Sequence, residues 1–76
     1  MKACKYVIID EISPVVFNAP ISHRDLQPLG NITSAGYFVR DGAEIVIAGE
    51  PYTIDVKNGK HDREILERFF SEMVAP

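Results

Sequence analysis

Apolar residues in this chain follow two different periods. Up to residue 56 they come in short β-branched and aromatic runs; from residue 62 they recur at helical spacing. Residues 5–10 carry Tyr6, Val7, Ile8 and Ile9 in succession, the pattern of a strand covered on both faces. A reversal through Asp10, Glu11, Ile12, Ser13 and Pro14 leads to a second short strand, Val15 to Phe17, which Asn18, Ala19 and Pro20 stop. Ser22, with Asp25 three residues on, reads as the cap of a helical turn that Pro28 and Gly30 cut short.

Residues 32–40 and 43–48 are two β-rich runs joined by Asp41 and Gly42. An Asp-Gly pair suits a two-residue type I′ turn, which needs positive φ at both positions. That turn would set Arg40 opposite Ala43, Phe38 opposite Ile45, Tyr37 opposite Val46 and Gly36 opposite Ile47. One hairpin face then presents Phe38, Ile45 and Ile47, and the other Tyr37, Val39 and Val46; both are apolar. Residues 52–56 alternate, with Tyr52, Ile54 and Val56 inward, which reads as a further strand. From Asp62 to about Val74 the residues Ile65, Leu66, Phe69, Phe70, Met73 and Val74 form one apolar stripe. Arg63, Glu64, Glu67, Arg68, Ser71 and Glu72 fall on the other side. Strands followed by one amphipathic helix define an α+β fold: a mostly antiparallel sheet of four or five strands with the C-terminal helix packed on one face.

Composition narrows the class. Seventy-six residues, 46% hydrophobic and 25% charged, make a single globular domain, residues 1–76. Eleven acidic against eight basic side chains argue against nucleic acid as partner, because phosphate neutralisation needs a basic face. Cys4 is the only cysteine, so neither an intrachain disulfide nor a cysteine zinc site can form. With no apolar run long enough for a signal peptide or a membrane span, the expected setting is the cytoplasm.

Candidate chemistry is sparse. His23, Arg24 and Asp25 look like a kinase catalytic loop, but Asn31 stands one position too far on and the Gly-rich loop is missing. A metal site from His23, Asp25, His61 and Asp62 lacks the helical His spacing such sites use. No nucleophile elbow or phosphate loop accompanies Cys4, Ser22 or Ser34. The expectation is no catalytic residue, no metal and no cofactor. Thr33, Ser34, Ala35 and Gly36 are four small residues inside a strand, with Phe69 or Phe70 expected to lie across Gly36.

His23-Arg24-Asp25 followed by Ile32-Thr33-Ser34-Ala35-Gly36-Tyr37 resembles a pattern in short uncharacterised bacterial proteins that also end in an Ile/Leu/Phe-rich helix. The resemblance implies a bacterial or mobile-element origin and transfers no activity.

Two functions fit these residues. One helix can cover one sheet face, so Tyr37, Val39 and Val46 need another cover. That points to a small non-enzymatic interaction protein, a homo-oligomer with a dimer as first choice, or one docking on a partner protein. The alternative is a small-molecule-binding protein or simple enzyme with a pocket near Gly36, its binding residues drawn from His23, Arg24, Asp25, Ser34 and Gly36.

Overall fold

The computed structural model describes residues 3–74. Its elements are β1 (Cys4–Ile9), β2 (Ser13–Phe17), a 3₁₀ helix (His23–Leu29), β3 (Ile32–Asp41), β4 (Glu44–Gly49) and α1 (Asp62–Val74). The four strands form one antiparallel sheet in the order β2-β1-β3-β4. The α+β reading therefore holds, with four strands and the C-terminal helix on one face. Lys2 before β1 and the last residues after α1 lie outside the described residues, as does the side chain of Val74 in the expected stripe.

Strand alternation divides the apolar residues between two cores. Tyr6, Ile8, Phe38 and Ile45 face α1 and close around Leu66, all at most 1% exposed. Val7, Phe17 and Ala35 face the other way and pack with Leu26 of the 3₁₀ helix. Ile54 and Val56 complete that second core. The continuous apolar run of β1 thus serves both faces, as its pattern implies.

Three expectations are corrected. The hairpin does not turn on Asp41 and Gly42. Asp41 pairs with Glu44, Arg40 with Ile45 and Phe38 with Ile47, so the turn is Gly42-Ala43. Gly42 has φ 63° and Ala43 is not left-handed, the arrangement of a type II′ turn with glycine first. Both registers put Phe38, Ile45 and Ile47 on one face, so hydrophobic alternation cannot choose between them. In the observed one Arg40 lies 4.4 Å over the Phe70 ring and its Nε donates to Gly42 O at 2.9 Å. Positive φ at two successive positions occurs instead at Asp10 and Glu11, the centre of the β1–β2 turn.

Residues 52–56 are not a strand. β4 separates from β3 at a bulge between Tyr37 and Phe38, and the freed edge of β3 is taken by the 57–58 segment. Ala35 N–H donates to Lys57 O at 3.1 Å, and the Asn58 amide donates to Ala35 O at 2.8 Å and Gly49 O at 3.0 Å. Alternation still shows in burial: Ile54 and Val56 are half-buried, while Tyr52 is 91% exposed.

Finally, the helix stripe is not uniformly buried. Leu66 is enclosed, Ile65 and Phe70 pack on the core, Phe69 is half-buried outside that cluster, and Met73 is 64% exposed.

Candidate functional site

Of the five residues read as a binding site, His23 and Gly36 do meet, but inside the protein. His23 is 1% exposed. Its ring stands edge-on between Phe17 and Tyr37, with centroids 5.1 Å from each. Its Nε2 lies 2.8 Å from Gly36 O, which makes that nitrogen the protonated donor. Burial holds the imidazole below its ordinary range, and the Gly36 bond only partly opposes this. The ring therefore ties the 3₁₀ helix to β3 as a neutral group.

Arg24 and Asp25 point into solvent on the same short helix. Asp25 Oδ2 accepts the Ser22 N–H at 2.9 Å, the carboxylate half of a capping box. That bond holds the Asp25 carboxyl below the usual range. Gly36 has no open space above it. The Asn58 amide, Gly49 O and the Tyr6 ring crowd the place a Cβ would take, and neither Phe69 nor Phe70 is among its nearest neighbours. The close approach that a strand glycine signals is made by Asn58.

Ser34 belongs to a different group, centred on Asp62 in the first turn of α1. Asp62 is 2% exposed. Its Oδ1 accepts the Ser34 hydroxyl at 2.6 Å. Its Oδ2 accepts the Tyr6 hydroxyl at 2.5 Å and the Gly59 N–H at 2.7 Å. Three donors and the positive end of the helix dipole support this carboxylate. Burial, then the Asp62 carboxylate as its acceptor, push the Tyr6 hydroxyl far above the ordinary phenol range. Asn58 Nδ2 reaches the same hydroxyl at 3.3 Å. Every buried side-chain nitrogen and oxygen among the described residues has a partner. The group acts as a lock that joins β1, β3 and the start of α1.

A shallow cleft of about 190 Å³ opens beside this lock, lined by Glu11, Ser34, Lys60, His61 and Asp62 among others. His61 is exposed, its Nδ1 3.8 Å from Glu64. The Ser34 hydroxyl, which donates to Asp62, lies at the floor of this cleft, and both residues are almost fully buried. Among the described residues no group of three or more His, Cys, Asp or Glu could hold a metal ion. No described helix is long and apolar enough to cross a membrane.

Ile21 before the 3₁₀ helix and Leu29 at its end are exposed, and two further groups of exposed apolar side chains flank the sheet. On the face opposite α1, the second core ends at β3. Beyond it Val46 is 51% exposed, Val39 is half-buried beside it, and Tyr52 leans on Tyr37 with ring centroids 6.1 Å apart. Tyr37 is half-buried between Tyr52 and His23. On the other side of the sheet, Ile12 and Phe69 line a groove between the β1–β2 turn and α1. Both sheet edges are obstructed. Pro14 in β2 has no N–H to offer a further strand. On β4, the Ile45 N–H is taken by Glu67 at 3.3 Å. That bond and Arg63 Nε at 3.2 Å hold the Glu67 carboxyl below its usual range.

Sequence reasoning did not single out the side chains of Tyr6 or Asn58, and it weighed Asp62 within a metal site whose spacing argues against it. The signal present was the Asn58-Gly59 turn leading straight into Asp62. Nothing local tied it to Tyr6, 56 positions away. Compared with protein-family models, curated proteins and solved structures, the chain matches none.

Proposed function

We propose that this chain is a small non-enzymatic interaction protein that pairs with a second copy through the open face of the β3–β4 hairpin. The observation that supports it is the apolar strip of exposed Val46 and Tyr52 with half-buried Val39, on the half of that face beyond the second core. Apolar patches of this kind are ordinarily covered by a partner. Because Pro14 and Glu67 obstruct both sheet edges, pairing is face to face and not by extending the sheet. Tyr37 contributes from beneath, as the ring on which Tyr52 rests. The same reading puts the protein in the cytoplasm, in keeping with the free thiol of Cys4.

Sedimentation velocity at micromolar concentration tests this. The expected result is a dimer or higher even oligomer that Val46→Asp weakens without loss of fold. A wild-type chain that stays monomeric ends the proposal. The alternative, a small-molecule site formed by His23, Arg24, Asp25, Ser34 and Gly36, has less support. His23 and Gly36 are enclosed, Arg24 and Asp25 face solvent, and Ser34 opens on a separate cleft.

A further inference from the structure

The helix α1 carries a second apolar column that its own sheet uses only at Ile65. Ile65, Phe69 and Met73 are spaced by four, so they lie along one line of the helix surface. Ile65 touches the core, Phe69 is half-buried outside it, and Met73 is 64% exposed. Beside this column lies a groove of about 280 Å³, lined by Ile12, Pro14, Ile65, Arg68, Phe69 and Glu72. Its far wall is built at some conformational cost. Asp10 and Glu11 both hold left-handed φ, 53° and 64°, which side chains rarely adopt. Asn31 O and Thr33 Oγ1 accept their N–H groups at 2.9 and 2.8 Å. The outcome of that turn is Ile12, held 70% exposed at the groove.

The charges on the groove identify what fits it. Arg68 and Glu72 both line it, four residues apart and of opposite sign, and neither is in an ion pair among the described residues. Two copies of α1 laid antiparallel about a two-fold axis near residue 70 bring Arg68 of each beside Glu72 of the other. The same axis sets the two Phe69 rings side by side between those charge pairs. An isologous contact requires this kind of self-complementarity, in which residue i meets residue j and j meets i.

We infer that the α1 groove is a second self-association surface, in which two copies pair antiparallel through Ile12, Phe69 and Met73 with crossed Arg68–Glu72 ion pairs. It lies on the opposite side of the sheet from the β3–β4 strip and does not depend on that proposal. If both contacts form, assembly goes beyond a dimer, closing as a tetramer where the two axes meet at right angles and running on as an open chain where they do not.

Sedimentation of four variants tests this, with circular dichroism to confirm folding. Phe69→Asp and Ile12→Asp should each remove the groove contact, leaving a dimer where the β3–β4 contact forms and a monomer where it does not. Ile12 is exposed, so its variant keeps the test valid if Phe69→Asp does not fold. Arg68→Glu should shift the dissociation midpoint by about tenfold or more through like-charge repulsion across the axis. Arg68→Glu combined with Glu72→Arg should restore association. An assembly unchanged by Phe69→Asp and Ile12→Asp overturns the inference, as does a double charge variant no better than Arg68→Glu alone. Loss of association with Val46→Asp but not with the groove variants overturns it while supporting the β3–β4 contact. The opposite pattern supports the groove and removes the β3–β4 reading. A wild-type chain that remains monomeric overturns both.

Discussion

The two faces of the sheet are closed by different means. Over β1, β3 and β4 lies α1, a regular helix that inserts Leu66 among Tyr6, Ile8, Phe38 and Ile45. Over the opposite face lie a 3₁₀ helix and the irregular 52–58 segment, which supply Leu26, Ile54 and Val56. The regular cover satisfies its own backbone and is held by burial together with the Asp62 lock at its first turn. The irregular cover leaves backbone groups without a ladder, and side chains reach across to meet them. Lys5 Nζ donates to Ile21 O at 2.9 Å, His23 to Gly36 O, and Asn58 to Ala35 O and Gly49 O. A small domain can thus cover a face without regular structure, provided that specific polar side chains stand in for the missing ladder.

Variants on the two faces should therefore fail differently. The largest effect is expected for Leu66→Ala on the α1 face, about 2–5 kcal/mol by chemical denaturation, since Leu66 is fully enclosed. Phe69→Ala should cost clearly less although the residue is larger, because Phe69 lies outside the buried cluster. Equal losses would mean that burial on this face extends over the whole stripe.

On the irregular face, Asn58→Ala should cost about 1–3 kcal/mol, the cost of leaving a buried acceptor without its donor. Amide exchange should then rise first at Ala35, whose N–H is held by Lys57, and leave the α1 core protected. Exchange rising in α1 to the same extent would show that the two faces open together.

His23 makes the irregular face sensitive to acid. Its folded-state value is lowered by burial, while in the unfolded chain it titrates near 6.5. The unfolded state therefore binds more protons, and stability falls as pH drops below about 6.5 until the folded value is passed. One proton limits the slope to about 1.4 kcal/mol per pH unit. Unfolding at pH 7.5 and 5.5 measures it, above the range where Asp25 and Glu67 titrate. His23→Asn should be less stable at pH 7.5 and should lose this dependence. A wild-type chain equally stable at both values would show that His23 is not buried as a neutral ring.

The smallest effect is expected for Asp25→Ala. Its carboxylate caps one exposed helical turn, so the variant should stay folded with unchanged assembly, read as melting temperature and sedimentation. Loss of a function with fold and assembly intact would reinstate the His23, Arg24 and Asp25 loop as a binding site.

Local periodicity by itself determined the elements of this protein. Short β-branched and aromatic runs mark β1 to β4, and the spacing of Ile65, Leu66, Phe69 and Phe70 marks α1, because each element's pattern is written in adjacent residues. It also determined which hairpin residues share a face, because that depends only on alternation. Only the tertiary structure decided the rest. The turn position between two registers with identical faces was set by contacts such as Arg40 on Phe70. The absence of a strand over residues 52–56 followed from Asn58 taking the edge of β3. Asp62 became the centre of a buried lock through Tyr6 and Ser34, 56 and 28 positions away. Which part of the α1 stripe is buried depended on where β1, β3 and β4 left room. These are choices of partner between distant segments, and no short window of sequence contains both members of such a pair.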